Sequence, residues 1–257
     1  AIAEAKKYGE VTVGASSAEC GYARIPDCSN LDIAPDTDYV YICENETIHG
    51  VTWPKLPDTK GHVLVSDQSS MFLSKPCCVT DYGMIYAGVQ KNVGPAGMVI
   101  VIMKEDLIPE EVDPKMPVYL KYATHADTNS GYNTPNCWSI YCCGLVIRNL
   151  LEHGGLEAIY QKNQEKAKII YDFLDNSTLF RGKVDPEFRS LMNIPFTTGN
   201  PDTDADVVAS AVRVGLSNLK GHPSVGGLRA SVYNAMPIDG ARALVEFLQR
   251  YELTHRG

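Results

Sequence analysis

The sequence predicts an α/β protein, with a mostly parallel sheet in a large domain, residues 1–158, and a small α+β domain in residues 159–257. Three observations carry this. Short apolar runs at Tyr39–Cys43 (YVYIC), Val63–Ser66 and Met84–Ala87 alternate with longer connections, as in parallel strands joined by crossovers. A further run, Met98–Met103 (MVIVIM), follows the turn Asn92–Gly97, which is too short for a parallel crossover and so predicts one antiparallel strand. Beyond Gly154-Gly155 the apolar period becomes that of a long helix, followed by two strands and two helices in the remaining chain.

In order along the chain, Ala1–Tyr8 reads as the back half of a helix stopped by Gly9, with neither a Met nor a capping residue ahead of it. The chain is therefore expected to lack its own N-terminal start. Glu10–Asn30 fits a strand and a connecting loop. Pro35–Asp38 makes a turn into YVYIC, which reads as a buried strand. Residues Ile108–Tyr132, rich in Pro, Asp, Asn and Thr, form a long irregular region of the kind that is usually functional or interfacial. Thr134-Pro135 then starts a helix, and Cys137–Leu151 reads as buried. Leu156, Ile159, Tyr160, Ala167, Ile170, Tyr171 and Leu174 mark the inner stripe of the domain-joining helix, with Lys162, Glu165, Lys166 and Lys168 largely off it. MNIPF (Met192–Phe196) and Gly227–Tyr233 are strands, while Asp204–Leu216 and Pro237–Thr254 are helices. The last of these buries Ala241, Leu244, Val245, Leu248 and Tyr251.

Composition narrows the function. The 257 residues are 44% hydrophobic with a formal net charge of −8 and no basic run, which argues against nucleic acid as a main partner. The longest apolar stretches, such as Gly97–Met103, are far short of a membrane span. Eight cysteines show no metal-ligand spacing, so no metal site is expected; they read as reduced thiols, mostly small core residues, in a reducing compartment.

Chemistry is expected at the strand ends. Val63–Ser66 delivers Asp67 and Met84–Ala87 leads to Gln90-Lys91, and ligands of α/β sheets bind outside the carboxyl ends of the strands. A lysine amine with a carboxylate suits pyridoxal phosphate, whose aldehyde the amine takes and whose ring nitrogen the carboxylate keeps protonated. Spacing alone favours a plainer alternative, a solvated loop lysine and an aspartate capping the Ser69-Ser70 turn. Arg229, set between Leu228 and Ala230 on a strand, faces inward or into a cleft and needs an anion, either an internal carboxylate or a ligand.

The literal residues go further. AGVQKNVGPAG (Ala87–Gly97) is preceded by CENETIHGV (Cys43–Val51) and SDQSSMFLSKP (Ser66–Pro76). It is followed in order by YNTP (Tyr132–Pro135), MNIPF and LKGHPSVGGLRASVYNAMP (Leu219–Pro237). From first residue to last the chain resembles the phosphoserine aminotransferase family, class-V pyridoxal-phosphate aminotransferases of fold-type I. That resemblance implies amino-group transfer between glutamate and 3-phosphohydroxypyruvate, giving 2-oxoglutarate and phosphoserine, in a cytoplasmic homodimer of serine biosynthesis. It implies that Lys91 bonds the cofactor and moves the proton, that Asp67 faces the ring nitrogen, and that Thr47 and Gln90 fix the cofactor. It also implies that Asn133 and Thr134 reach the cofactor phosphate of the neighbouring subunit, that Arg229 holds the substrate carboxylate, and that His222 lies near the substrate's distal anion. The family carries an N-terminal segment with a glycine-rich phosphate turn and an aromatic residue that stacks on the ring; neither is found between Ala1 and Gly257. Pro223 stands where many relatives have an arginine, leaving the distal anion to His222, Lys220 and groups of the N-terminal segment. Two alternatives stay open: a catalytically incompetent piece partnering a separate N-terminal part, and another activity on the same fold. A desulfurase would need a cysteine on a mobile loop, which none of the eight recommends.

Overall fold

In the computed structural model, residues 1–255 are described. A short helix α1 (Ile2–Ala5) opens the chain, and strands β1 (Tyr39–Cys43), β4 (Val63–Asp67), β5 (Met84–Gly88) and β6 (Val99–Met103) form one sheet in the order β1-β4-β5-β6. The first three are parallel and β6 runs antiparallel to β5, as the short turn between them requires. Its core lies on one face, where Ile42, Leu64, Ile85 and Ala87 pack with Phe72, Tyr82, Val89 and Val93.

The other face differs from expectation. YVYIC is a strand, but Tyr39 and Tyr41 are exposed while Ile42 is buried, and Val99 and Val101 of β6 are exposed as well. Strand side chains alternate between faces, so an all-apolar strand sequence cannot by itself distinguish one covered face from two. Glu10–Asn30 is not a strand. It is irregular, with a single 3₁₀ turn at Ala18–Cys20 and left-handed φ values at Gly21 and Tyr22 that break any extended run.

Helix α2 (Tyr122–Asp127) is the one α-helix in the long polar region, and α3 (Cys137–Glu152) follows it. The start of α3 is capped by Asn136, whose Oδ1 accepts from the Ser139 amide at 3.1 Å, and not by Thr134. Nor is α3 buried. Only Ser139 and Cys143 are enclosed; Trp138, Tyr141 and Leu151 are more than 60% exposed. The buried stripe meets the sheet layer at Gly94, where an added Cβ would stand 2.6 Å from Cys143 Sγ. The cysteines are all free thiols, and Cys143 alone of the eight is buried, contrary to a mostly core placement.

The second core is built from α4 (Gly155–Asn176), β7 (Arg181–Gly182), β8 (Asn193–Thr197), α5 (Pro201–Arg213), β9 (Leu228–Ser231) and α6 (Ile238–Thr254). Its sheet, β7-β8-β9, is antiparallel, and α4 and α6 pack together with Ala167, Ile170, Leu174, Leu244 and Leu248 buried. One lysine of α4 lies inside. Lys166 is 1% exposed, and its Nζ donates to the carbonyls of Val232 (3.1 Å) and Tyr233 (2.7 Å). The helical stripe is wider than its apolar letters suggest because a long stem can bury while its amine finds carbonyl partners.

The cores are stitched by the hairpin β2 (Asn45–Glu46) and β3 (Val51–Thr52). Gly50 sits at its turn with φ +73°, and a Cβ there would fall 2.2 Å from Pro195 Cδ and 2.6 Å from the Asn193 carbonyl, so only glycine permits this approach to β8. The Ser190 amide donates to the Gly50 carbonyl at 2.9 Å, and Asn45 Nδ2 donates to Ser70 Oγ (2.7 Å) and Asn193 Oδ1 (2.9 Å).

Burial holds the Lys166 amine down at about 8, against 10.5 for an ordinary lysine. Between those values the unfolded chain binds more protons than the folded one at this site, so its contribution to stability rises with pH. The unfolding free energy of the parent relative to Lys166→Met should therefore grow between about pH 8 and pH 10.5, by at most about 3 kcal/mol. Denaturant unfolding of both proteins across that range checks it; a flat difference contradicts the buried amine.

Candidate cofactor-binding site

Parallel pairing in register places the last residues of β1 and β4, Cys43 and Asp67, side by side, with Tyr86 of β5 next in the row. After Gly88 the chain turns tightly: the Val93 and Gly94 amides both donate to the Val89 carbonyl at 3.0 Å. This turn presents Lys91 beside the strand ends. Lys91 Nζ donates to Thr47 Oγ1 at 2.9 Å, and the carbonyl of the same threonine accepts from Arg229 Nη1 at 3.2 Å. Thr47 thus joins the lysine at the end of β5 to the arginine of β9.

Asp67 caps the turn, as the plainer reading expected, its Oδ1 accepting from the Ser69 amide at 2.9 Å, and it also lies close enough to Lys91 to act on it. Ser69 Oγ in turn accepts from the Gly88 amide at 3.0 Å, so the Asp67 turn and the Lys91 turn are bonded to each other. Burial lowers the Lys91 pKa, while Asp67 and Cys43 oppose that shift. Arg229 is partly buried and has no carboxylate within ion-pair distance among the described residues. Of the two anions expected for it, the internal carboxylate is thus not found among the described residues.

The remaining expected residues are placed unevenly. Gln90 is exposed and its amide folds over Gly88, where an added Cβ would lie 2.6 Å from Oε1. His222 lies on the loop beside the Arg229 strand, with Nδ1 2.7 Å from Ser224 Oγ, and Pro223 is exposed. Asn133 and Thr134 are exposed, and the chain's own fold brings neither into hydrogen bonding with Lys91, Asp67 or Thr47.

Two features escaped the sequence reading. The Cys43 thiol is pushed up to about 12 by burial and by Asp67 and Glu46, so it is a neutral neighbour and no nucleophile. The hydroxyls of Tyr41 and Tyr86 stand 3.1 Å apart, and burial raises both pKa values, with Asp67 adding to each shift. Aligning strand ends in register would have found Cys43 and Tyr86; no local motif marks them.

A half-buried lysine, a carboxylate at the neighbouring strand end and an arginine without an internal counter-ion fit pyridoxal phosphate and a carboxylate substrate. The family model for class-V aminotransferases matches residues 2–244. The chain belongs to the class-V aminotransferase family. Among these aminotransferases it is 47% identical to the phosphoserine aminotransferase of Nitrosomonas europaea, the match covering 99% of this chain and 71% of that protein. It is 46% identical to the chloroplastic phosphoserine aminotransferase 1 of Arabidopsis thaliana, of which it spans 59%. The solved phosphoserine aminotransferase of Bacillus circulans subsp. alkalophilus superposes with a TM-score of 0.96 at 39% identity, over 99% of this chain and 71% of that one. A pyridoxal-phosphate-bound phosphoserine aminotransferase from Trichomonas vaginalis gives a TM-score of 0.84 at 38% identity, over 88% of this chain and 64% of that one.

The electrostatics can be checked on the aminotransferase without cofactor. Competitive labelling of amines across pH should give Lys91 a pKa below 10.5. The value should fall further in Asp67→Asn, because the carboxylate that favours the ammonium form is gone. An unchanged or higher value in Asp67→Asn would show that Asp67 does not act on Lys91.

Proposed function

We propose that this chain carries the amino-transfer site of a phosphoserine aminotransferase, moving the amino group between glutamate and 3-phosphohydroxypyruvate. The observation that carries the reading is the Lys91–Thr47–Arg229 chain beside Asp67, in a sequence 45–47% identical to phosphoserine aminotransferases over nearly its whole length. When bound, pyridoxal phosphate supplies a carbonyl carbon for the amine and a ring that withdraws electrons from the substrate Cα. The protein's part is positioning and proton transfer. Lys91 would hold the cofactor covalently at rest and would be released as a free amine when the amino group of the substrate takes its place. Its amine, which burial biases toward the neutral form, takes the proton from the substrate Cα and returns it on the other side of the transfer. Asp67 would keep the cofactor's ring nitrogen protonated. Thr47 orients the Lys91 amine from one side and Arg229 from the other, so the substrate carboxylate and the proton carrier share one reference point.

Arg229 binds the α-carboxylate, and the loop with Lys220 and His222 takes the distal phosphate or carboxylate. Gln90 serves the cofactor on the Lys91 side. Asn133 and Thr134 serve the cofactor phosphate of a second copy in a homodimer. What supports this is their exposure next to exposed Tyr132, Trp138 and Tyr141, a surface suited to an interface. Such a dimer would work in the cytoplasm on small molecules; among the described residues no helix is long and apolar enough to cross a membrane.

Borohydride reduction of the cofactor-loaded protein, followed by peptide mapping, should leave a phosphopyridoxyl group on Lys91; a label confined to another lysine overturns the assignment. Arg229→Ala should raise KM for glutamate about 100-fold, corresponding to the loss of a charge-assisted carboxylate contact. An unchanged KM would remove Arg229 from the substrate site.

A further inference from the structure

Three consecutive carbonyls, of Phe72, Leu73 and Ser74, are each taken by an asparagine amide from a different part of the fold. Asn92 Nδ2 donates to Phe72 O at 3.1 Å, Asn234 Nδ2 to Leu73 O at 2.8 Å, and Asn163 Nδ2 to Ser74 O at 2.9 Å. The asparagines are also bonded to one another. Asn92 Oδ1 accepts from the Asn234 amide at 3.0 Å, and Asn234 Oδ1 accepts from Asn163 Nδ2 at 2.9 Å.

Each amide's orientation is fixed by its partners. Both acceptors of Asn163 Nδ2 are carbonyl oxygens, so a flipped amide would set oxygen against oxygen twice. The bonds are kept although Asn163 Oδ1 is left buried without a partner. The gripped turn is also one that a free chain would avoid. Leu73 has φ +56°, a left-handed conformation in which a leucine is held only by its surroundings.

The location gives the cluster its meaning. Asn92 directly follows Lys91. The Phe72–Ser74 turn continues from Asp67 and Ser69, whose Oγ accepts from the Gly88 amide. Asn234 lies just beyond β9, the strand of Arg229, and Lys166 of α4 holds the carbonyls of Val232 and Tyr233 immediately before it. We propose that Asn92, Asn163 and Asn234 form a positioning latch that grips the Leu73 turn and so keeps Arg229 in register with Lys91 and Asp67. The inference rests on the amino-transfer function proposed above and adds its positioning residues. None of the three touches substrate. They act by stopping the β7-β8-β9 unit from shifting against the sheet that carries the lysine.

The test uses the pyridoxal-phosphate-loaded protein and the variants Asn92→Ala, Asn234→Ala and their double. A core variant, Leu248→Val, lowers stability in the second core away from the latch. Each asparagine variant should raise KM for glutamate about tenfold while kcat stays within about threefold, and the double should be no worse than the poorer single, since one latch opens only once. Hydrogen–deuterium exchange should quicken at the Ser74 amide in both asparagine variants and not in Leu248→Val. An equal rise in KM in Leu248→Val at the same loss of melting temperature would overturn the latch. So would log-additive effects of Asn92→Ala and Asn234→Ala, or unchanged exchange at Ser74. A loaded parent protein without aminotransferase activity would strike the proposed function instead, and the exchange pattern would then decide the latch by itself.

Discussion

Thr47 is the point on which the arrangement depends. Its hydroxyl accepts from the amine of Lys91 and its carbonyl accepts from the guanidinium of Arg229, so two cations from opposite cores are held through one residue. Two basic groups are drawn together, with Asp67 and Glu46 acting on the lysine and no carboxylate paired with the arginine among the described residues, which favours anions on the arginine side. Under the proposed function, a carboxylate substrate would supply the charge that the chain withholds from Arg229. The residue that bridges them is small and uncharged, which lets it fix positions without neutralising either cation.

Thr47 can do this because its hairpin is itself fixed. Asn45 is buried between Ser70 and Asn193, and Gly50 lets the hairpin turn meet the backbone of β8 at a distance no side chain would allow. Many of the polar contacts between the cores are side-chain amides and hydroxyls, beside the Ser190–Gly50 backbone bond and the Arg229–Thr47 contact. Such networks demand geometry: an amide bonded to two fixed partners tolerates little sliding, whereas packed methyl groups tolerate more. Burying these groups would be unfavourable unless they were nearly all satisfied, and among the described residues Asn163 Oδ1 is the one buried side-chain polar atom without a partner.

Much of this was legible in the sequence. The strand at Val63, the strand at Met84 and the antiparallel return at Val99 follow from apolar runs and from a turn too short for a crossover, and α6 buries the residues its period marks. Asp67 and Lys91 were legible as strand-end residues, and the literal segments around them identified the family. Other features depend on tertiary placement. The exposed faces of β1 and α3 reflect which neighbours cover them, which local pattern does not encode. Lys166 reads as a surface residue because its amine finds two carbonyls only once β9 has packed against α4. Cys43 and Tyr86 join Asp67 through strand register, and Asn92 and Asn234 meet across 142 residues of chain.

The central claim is that Lys91 and its neighbours transfer an amino group to a phosphorylated oxo acid. Isotope transfer tests it most directly: the pyridoxal-phosphate-loaded protein is given ¹⁵N-labelled glutamate and 3-phosphohydroxypyruvate, and the products are analysed by mass. The account predicts ¹⁵N-phosphoserine and 2-oxoglutarate in equal amounts, with none from Lys91→Ala. Label that stays on glutamate in the parent protein, or transfer undiminished in Lys91→Ala, would contradict it.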